Sequence, residues 1–259
     1  MRLMSSNLIS EVRNLQRRKA RKRRGLAVAE GVRLVEEALA AGVPFKGVLA
    51  AESLRDGPRG AALLADLAGH AVPIEEIPER ELTRLADTDT PQGILAVIDP
   101  PRWTLADVDP GTRSPVLVLD GVQDPGNVGT LLRTAHALGS PGAILLPGTA
   151  DIANPKVMRA AMGASFRLPA APAQDGELAK WVNEHEVTLW AASTEGTPLE
   201  RLAAPARAAV VVGNEGAGVR PFVRSLAQQQ VAIPLARGVE SLNVAVAAGI
   251  LLYEVQRAK

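Results

Sequence analysis

The sequence predicts an α/β protein in two parts. A smaller α/β unit is expected over residues 1–100 and a parallel sheet with helices on both faces over 115–259, joined by a linker at 101–114. Three observations predict this. From Pro115 onward, short continuous apolar runs alternate with helical periods, the pattern of a parallel sheet buried on both faces. Pro100, Pro101, Pro110 and Pro115, with Asp107, Asp109 and Gly111 among them, interrupt the chain, and such a run holds neither a helix nor a central strand. Charge divides the chain too. Residues 1–24 carry nine Lys/Arg against Glu11 and net +8, whereas the remainder holds 20 basic and 27 acidic residues and nets −7. A basic arm on an acidic body points to nucleic acid or another anionic partner.

The elements follow in order. Residues 29–41 set Val32, Leu34, Val35, Ala38 and Leu39 among Glu30, Arg33, Glu36 and Glu37, an amphipathic helix closed by Gly42. Strand-like runs occupy 47–50, 71–77 and 93–98, with a helix at 59–69 between the first two. Past the linker, 116–120 is an apolar strand. The helix at 127–138 carries its apolar stripe on Val128, Leu131, Leu132, Ala135 and Leu138. A strand at 143–146, a helix at 155–163, strands at 187–192, 208–212 and 231–233, and a closing helix at 241–257 complete the pattern.

Composition excludes several classes. A 47% hydrophobic chain has the material for one large core or two smaller ones. Without Cys there is neither a disulfide nor a thiolate zinc site, in keeping with a cytoplasmic protein. His70, His136 and His185 are too scattered to suggest a metal site, so no metal is expected. The longest apolar stretch, 244–253, is half the roughly 20 residues a membrane helix needs. No h-region follows the basic N-terminus, so no signal peptide is expected. Aromatics at 3% argue against an aromatic stacking platform for bases.

Three clusters carry chemistry. Asp124-Pro-Gly-Asn-Val-Gly-Thr-Leu-Leu-Arg133 lies where a strand ends and a helix begins, the usual ligand position in an open α/β sheet. Asn127 is either a plain N-cap or a site residue. Arg133, off the apolar stripe, is either a solvated surface residue or a clamp on phosphate oxygens. Gly213-Asn214-Glu215-Gly216-Ala-Gly218 follows a buried strand. Its glycine order differs from the dinucleotide fingerprint, and its glycines permit a tight turn and close ligand approach. Ile233-Pro-Leu235-Ala-Arg-Gly-Val-Glu-Ser241-Leu242-Asn243-Val places Ser241 as the expected helix cap, and Asn243 as a polar group in an apolar setting that needs a partner.

In this order and at these spacings, the clusters resemble the SpoU/TrmH family of RNA ribose 2′-O-methyltransferases, of the SPOUT superfamily. The resemblance covers residues 115–257 and extends more weakly to 17–42, which is similar to the substrate-binding domain, itself like ribosomal protein L30e, of rRNA-directed members. It implies a deep trefoil knot, an exception to the un-knotted rule, and S-adenosylmethionine as cofactor, held by Gly213, Asn214, Ile233, Leu235, Leu242 and Asn243. It implies a catalytic end of Asn127, Arg133, Glu215, Ser241 and Asn243, and a homodimer through the C-terminal domain. Leu235 stands where many members have Met, and Ala161 where a Ser is common.

The basic run Arg17, Arg18, Lys19, Arg21, Lys22, Arg23 and Arg24 is expected to contact RNA phosphates together with Arg133, against the plain alternative of a solvated tail. Arg133, Arg159 and Arg237 are expected to form a local positive patch. The implied reaction is methyl transfer to a ribose 2′-hydroxyl of RNA, with 23S rRNA the expected substrate. The alternatives are a tRNA 2′-O-methyltransferase and a non-catalytic RNA-binding protein of the same fold. A nucleotide-binding α/β protein is disfavoured because G-x-x-x-x-G-K-[ST] is absent.

Overall fold

The computed structural model describes residues 2–111 and 114–257. Met1 of the basic arm and Thr112 and Arg113 of the expected linker lie outside the described residues. The regular elements are α1 (Arg2–Leu15), α2 (Arg18–Arg24), β1 (Ala27–Glu30), α3 (Val32–Ala40), β2 (Phe45–Ala51), α4 (Pro58–Gly69), β3 (Ile74–Ile77), α5 (Glu79–Leu85) and β4 (Ile94–Ile98). They continue with β5 (Val116–Asp120), α6 (Pro125–Ala137), β6 (Ala143–Leu145), α7 (Pro155–Ala161), β7 (Ala170–Pro172), α8 (Asp175–Glu184), β8 (Thr188–Pro198), β9 (Ala208–Gly213), α9 (Pro221–Leu226), β10 (Gln229–Ala232) and α10 (Val244–Arg257). They form two compact units, one of residues 2–101 with 151–166, the other of the remaining described residues.

The first unit is a four-stranded sheet in the order β1-β4-β2-β3, with β4 antiparallel to both neighbours and β3 parallel to β2. The basic segment is not a free arm. Val12 and Leu15 of α1 are fully buried, in one cluster with Val28, Leu49, Leu95 and Val97 of the sheet. Apolar positions at helical spacing hide among the charges there, and burial of that stripe seats the helix. The other core gathers α3 and α4 through Leu34, Val35, Leu63 and Leu67, and it includes Met158 and Phe166 from the 151–166 segment. The expected helix at 29–41 begins only at Val32, because residues 27–30 are strand β1. Glu30, placed by the sequence on a solvated helix face, is 4% exposed. Its carboxylate accepts the backbone N–H groups of Asp87 (2.8 Å) and Thr88 (3.2 Å).

The second unit holds six parallel strands in the order β10-β8-β9-β5-β6-β7. Continuous Val/Leu/Ala runs suit strands covered on both faces. One face packs α8 and α9 through Leu178, Trp181, Val182 and Val223. On the other, α6 and α10 lie against each other and against β5 and β9. The chain leaves β5 toward β6 and β7 on one side and crosses to β8 and then β9 on the other, with Asp120 paired to Gly213 at the carboxyl ends of β5 and β9. That is the switch point at which open α/β sheets bind ligands.

Pairing of β10 with β8 jumps from Gln230↔Ala191 to Val231↔Thr197, so residues 192–196 bulge out of the ladder. A Cβ on Gly196 would stand 2.7 Å from the backbone of Gln230, so only glycine admits this crossing. The closing helix starts at Val244 and not at Ser241, so Ser241 is not its cap. Among the described residues no helix is long and apolar enough to cross a membrane, and no group of three or more His, Asp or Glu could hold a metal ion.

Candidate active site

The site is assembled from three helix or strand ends. Helix α6 begins two residues earlier than the expected start at 127, at Pro125, a residue suited to a first helical position. Its cap is Asp124, whose carboxylate accepts the Asn127 N–H at 2.7 Å. Asn127 is therefore not the cap, and its side chain is free for other partners. At α10 the cap is Asn243, whose Oδ1 accepts the N–H groups of Ala245 (2.9 Å) and Val246 (3.3 Å). Asn243 is exposed and not set among apolar groups as the sequence suggests, and capping is the partner it finds. Gly249 of α10 lies against Thr134 of α6, so the two helices seat closely and bring Asn243 to Asn127.

The result is a directed chain of hydrogen bonds. With its oxygen turned to the helix N–H groups, Asn243 presents Nδ2, which donates to Asn127 Oδ1 at 3.0 Å. Asn127 must then present its own Nδ2, which donates to Glu215 Oε1 at 3.1 Å. Each amide orientation dictates the next. Glu215 also accepts the backbone N–H groups of Gln123 (3.3 Å) and Asp124 (3.2 Å), so every partner of this carboxylate is a donor. Burial pushes its pKa up. The hydrogen bond from Asn127 and those from the backbone N–H groups of Glu215 itself, Gln123 and Asp124 outweigh it, and the carboxyl sits below its ordinary range. Glu215 is thus an ionised acceptor at neutral pH and a poor proton acceptor for catalysis.

The turn that carries Glu215 is held at both ends. Asn214 and Gly218 exchange backbone hydrogen bonds of 3.0 and 2.9 Å, and Asn214 Nδ2 donates to the Gly121 carbonyl at 3.1 Å. Gly213 is required by the turn's own backbone: a Cβ there would lie 2.1 Å from Gly218. Immediately after the turn, Arg220 Nε donates to Asp120 Oδ1 (2.6 Å), and its terminal nitrogens fork onto Asp175 (3.0 and 2.6 Å). The sequence reading missed Asp120 and Arg220. An acid ending an otherwise apolar strand was the available signal.

Beside this network lies a cleft of about 690 Å³. Gly213, Asn214, Glu215, Ile233, Leu235, Ser241, Leu242 and Asn243 all line it, so every expected cofactor residue borders one space. The 192–196 bulge adds Ser193, Thr194 and Glu195, which no spacing in the sequence foretold. Its walls combine apolar Val212, Leu235, Ala247 and Leu251 with the carboxylates of Glu195, Glu215 and Glu240. This fits a ligand with an apolar body and a positive centre.

Arg133 is not drawn into the network. It is exposed, six residues and about 9 Å along α6 from Asn127, and it makes no ion pair with any described residue. Of the basic run, Arg17, Arg18, Lys19, Lys22 and Arg23 are likewise exposed and unpaired among the described residues. Arg21 does not belong with them. It is 5% exposed, and its guanidinium donates to Asp151 (3.0 and 2.8 Å) and to the carbonyls of Leu15 (3.0 Å) and Gln16 (2.8 Å), so it holds the fold and cannot reach a phosphate. Arg24 is paired with Glu11. Arg159 is not free for a positive patch either, because it is bonded to Glu30 (3.2 Å) and Asp87 (2.7 Å) in the first unit.

Residues 114–253 match the model of the SpoU rRNA Methylase family, and residues 6–96 match an MRM3-like substrate binding domain. The chain belongs to the SpoU family. It is 33% identical to the Bacillus subtilis 23S rRNA (guanosine(2553)-2′-O)-methyltransferase RlmP over 96% of this chain and 95% of that one. Two solved SpoU-like structures align over 96% of it. One is an AdoMet-bound rRNA methyltransferase from Sinorhizobium meliloti (TM-score 0.86, 29% identity, 94% of that chain). The other is the SpoU methyltransferase AviRb from Streptomyces viridochromogenes in complex with AdoMet (TM-score 0.85, 28% identity, 96% of that chain).

Proposed function

We propose that this chain is a cytoplasmic, S-adenosylmethionine-dependent RNA (ribose-2′-O)-methyltransferase that acts on 23S rRNA as a homodimer. The observation that carries the reading is the run Glu215–Asn127–Asn243, which ties three separate sequence clusters together at the edge of one cleft. A binding-only protein has no need of that convergence. Full-length similarity to RlmP favours rRNA over tRNA.

S-adenosylmethionine, when bound, supplies a methyl group on a sulfonium centre. Gly213, Asn214, Ile233, Leu235, Leu242 and Asn243 hold it in the cleft, and the cleft's carboxylates favour its positive charge. Glu215, Asn127 and Asn243 keep the catalytic end rigid, so the target ribose meets a fixed surface. Ser241, exposed at the cleft and free of capping, is placed to hydrogen-bond the ribose. Arg133 grips the neighbouring phosphate and lowers the 2′-hydroxyl's pKa by its charge, the proton leaving to phosphate or water. A permanently protonated guanidinium is no base. Arg17, Arg18, Lys19, Lys22 and Arg23 hold the RNA backbone at a distance from the reaction. Leu242, Val246, Ile250 and Tyr253, exposed on and beside α10, support the dimer contact. The close crossing at Gly196 supports the knotted arrangement.

The test is to map 2′-O-methyl marks on 23S rRNA incubated with the protein and cofactor. One cofactor-dependent ribose mark is expected, and rRNA binding without transfer would overturn the enzymatic reading. Arg133→Lys keeps the charge and loses the fork, so its rate should fall about tenfold or more. A near-wild-type rate would remove the bidentate role.

A further inference from the structure

We propose that Arg220 is a positioning residue for methyl transfer, which clamps the end of the 213–219 turn and thereby sets Glu215, and through it Asn127 and Asn243. This rests on the methyltransferase reading above. Arg220 does not line the cleft and touches none of the expected site residues, so it acts through them.

The clamp joins three connection points at the carboxyl edge of the sheet. Asp120, the last residue of β5, has no exposed surface, and it accepts both the backbone N–H (2.7 Å) and Nε (2.6 Å) of Arg220. Asp175, the first residue of α8, takes both terminal nitrogens in a fork. Arg220 itself is the cap position of α9. The start of the turn is tied to Gly121 by Asn214 Nδ2 and its end to Asp120 by the backbone N–H and Nε of Arg220, so both ends hang on consecutive residues at the carboxyl end of β5. Between those ties lie Gly216 and Gly218, which give the backbone wide freedom if either tie is cut. The hydrogen bonds that the Gln123 and Asp124 N–H groups donate to Glu215, at 3.3 and 3.2 Å, depend on the turn not drifting.

The experiment uses the full chain with four variants: Arg220→Lys, Asp175→Asn, Glu215→Gln and the Glu215→Gln/Arg220→Lys double. Lysine keeps a charge beside Asp120 but cannot span both carboxylates, and Asp175→Asn loosens the clamp while leaving Asp120 paired. Both single clamp variants should lower kcat about tenfold with RNA KM within about threefold. The double should be no slower than Glu215→Gln alone, within about twofold, because one residue acts through the other. Amide hydrogen exchange of Gln123 and Asp124, read by NMR without RNA or cofactor, should quicken in Arg220→Lys while that of β6 stays unchanged. Unaltered exchange, or losses that multiply in the double variant, would overturn the proposal. Faster exchange in a protein whose wild type transfers no methyl would leave the clamp standing and remove the methyltransferase reading instead.

Discussion

Glu30 and Asp120 each end a strand, one in the first unit and one in the second, and each is almost closed to solvent at 4% and 0% exposure. Both are answered by an arginine, but the answers differ in redundancy. Glu30 accepts two backbone N–H groups and the Thr88 hydroxyl besides Arg159. Asp120's hydrogen bonds among the described residues come from Arg220 alone. A buried carboxylate with three neutral donors tolerates loss of its cation; one left with a single backbone N–H does not. The second unit concentrates that dependence beside the proposed reaction site, where rigidity bears on chemistry.

The largest effect expected is therefore on Arg220→Ala, which removes the guanidinium beside Asp120, leaves this fully buried carboxylate one backbone N–H among the described donors, and should cost about 3–5 kcal/mol of stability. Arg159→Ala, which leaves Glu30 three neutral donors, should cost only about 1 kcal/mol. Urea unfolding of the two variants checks this, and equal losses would break the comparison. Arg21 lies between these limits, since its partner Asp151 keeps the Ala153 N–H at 3.2 Å and is 14% exposed where Asp120 is closed to solvent. Arg21→Ala should cost about 2–3 kcal/mol. Lys22→Ala, one residue along, should leave stability unchanged and reduce the salt slope of RNA binding by about one unit. Reversal of those two phenotypes would return Arg21 to the RNA surface.

How much could be read beforehand follows the same division. In the second unit β5, α6, β9 and α10 were legible because continuous apolar strands alternate with helical stripes, and the site residues sit at their ends. The structure caps α10 with Asn243 and not the expected Ser241, and it settles the open choice at Asn127 by capping α6 with Asp124, because several adjacent residues can cap and tertiary contacts choose among them. In the first unit the basic run at 17–24 draws residues 1–24 together as one charged arm and masks α1, and Glu30 falls within an expected helix because burial of an acid depends on partners far along the chain. Arg21 illustrates the limit. Nothing in a run of seven basic residues marks the one that is buried, and its partner lies 130 residues away.

The smallest effect belongs to Glu215, which carries redundancy furthest: among the described residues its donors are all neutral, and no arginine is among them. Its folded pKa lies below the ordinary 4.5, so the stability it contributes is complete above that value and is lost as pH falls through the lower folded pKa. Between pH 6 and 9 it has nothing to titrate. The methylation rate should show no limb in that window that Glu215→Gln removes, even though the variant is slower at every pH. A neutral-range limb present in the wild type and absent from Glu215→Gln would make the carboxylate a proton acceptor, and would place the chemistry on the group that here only fixes Asn127.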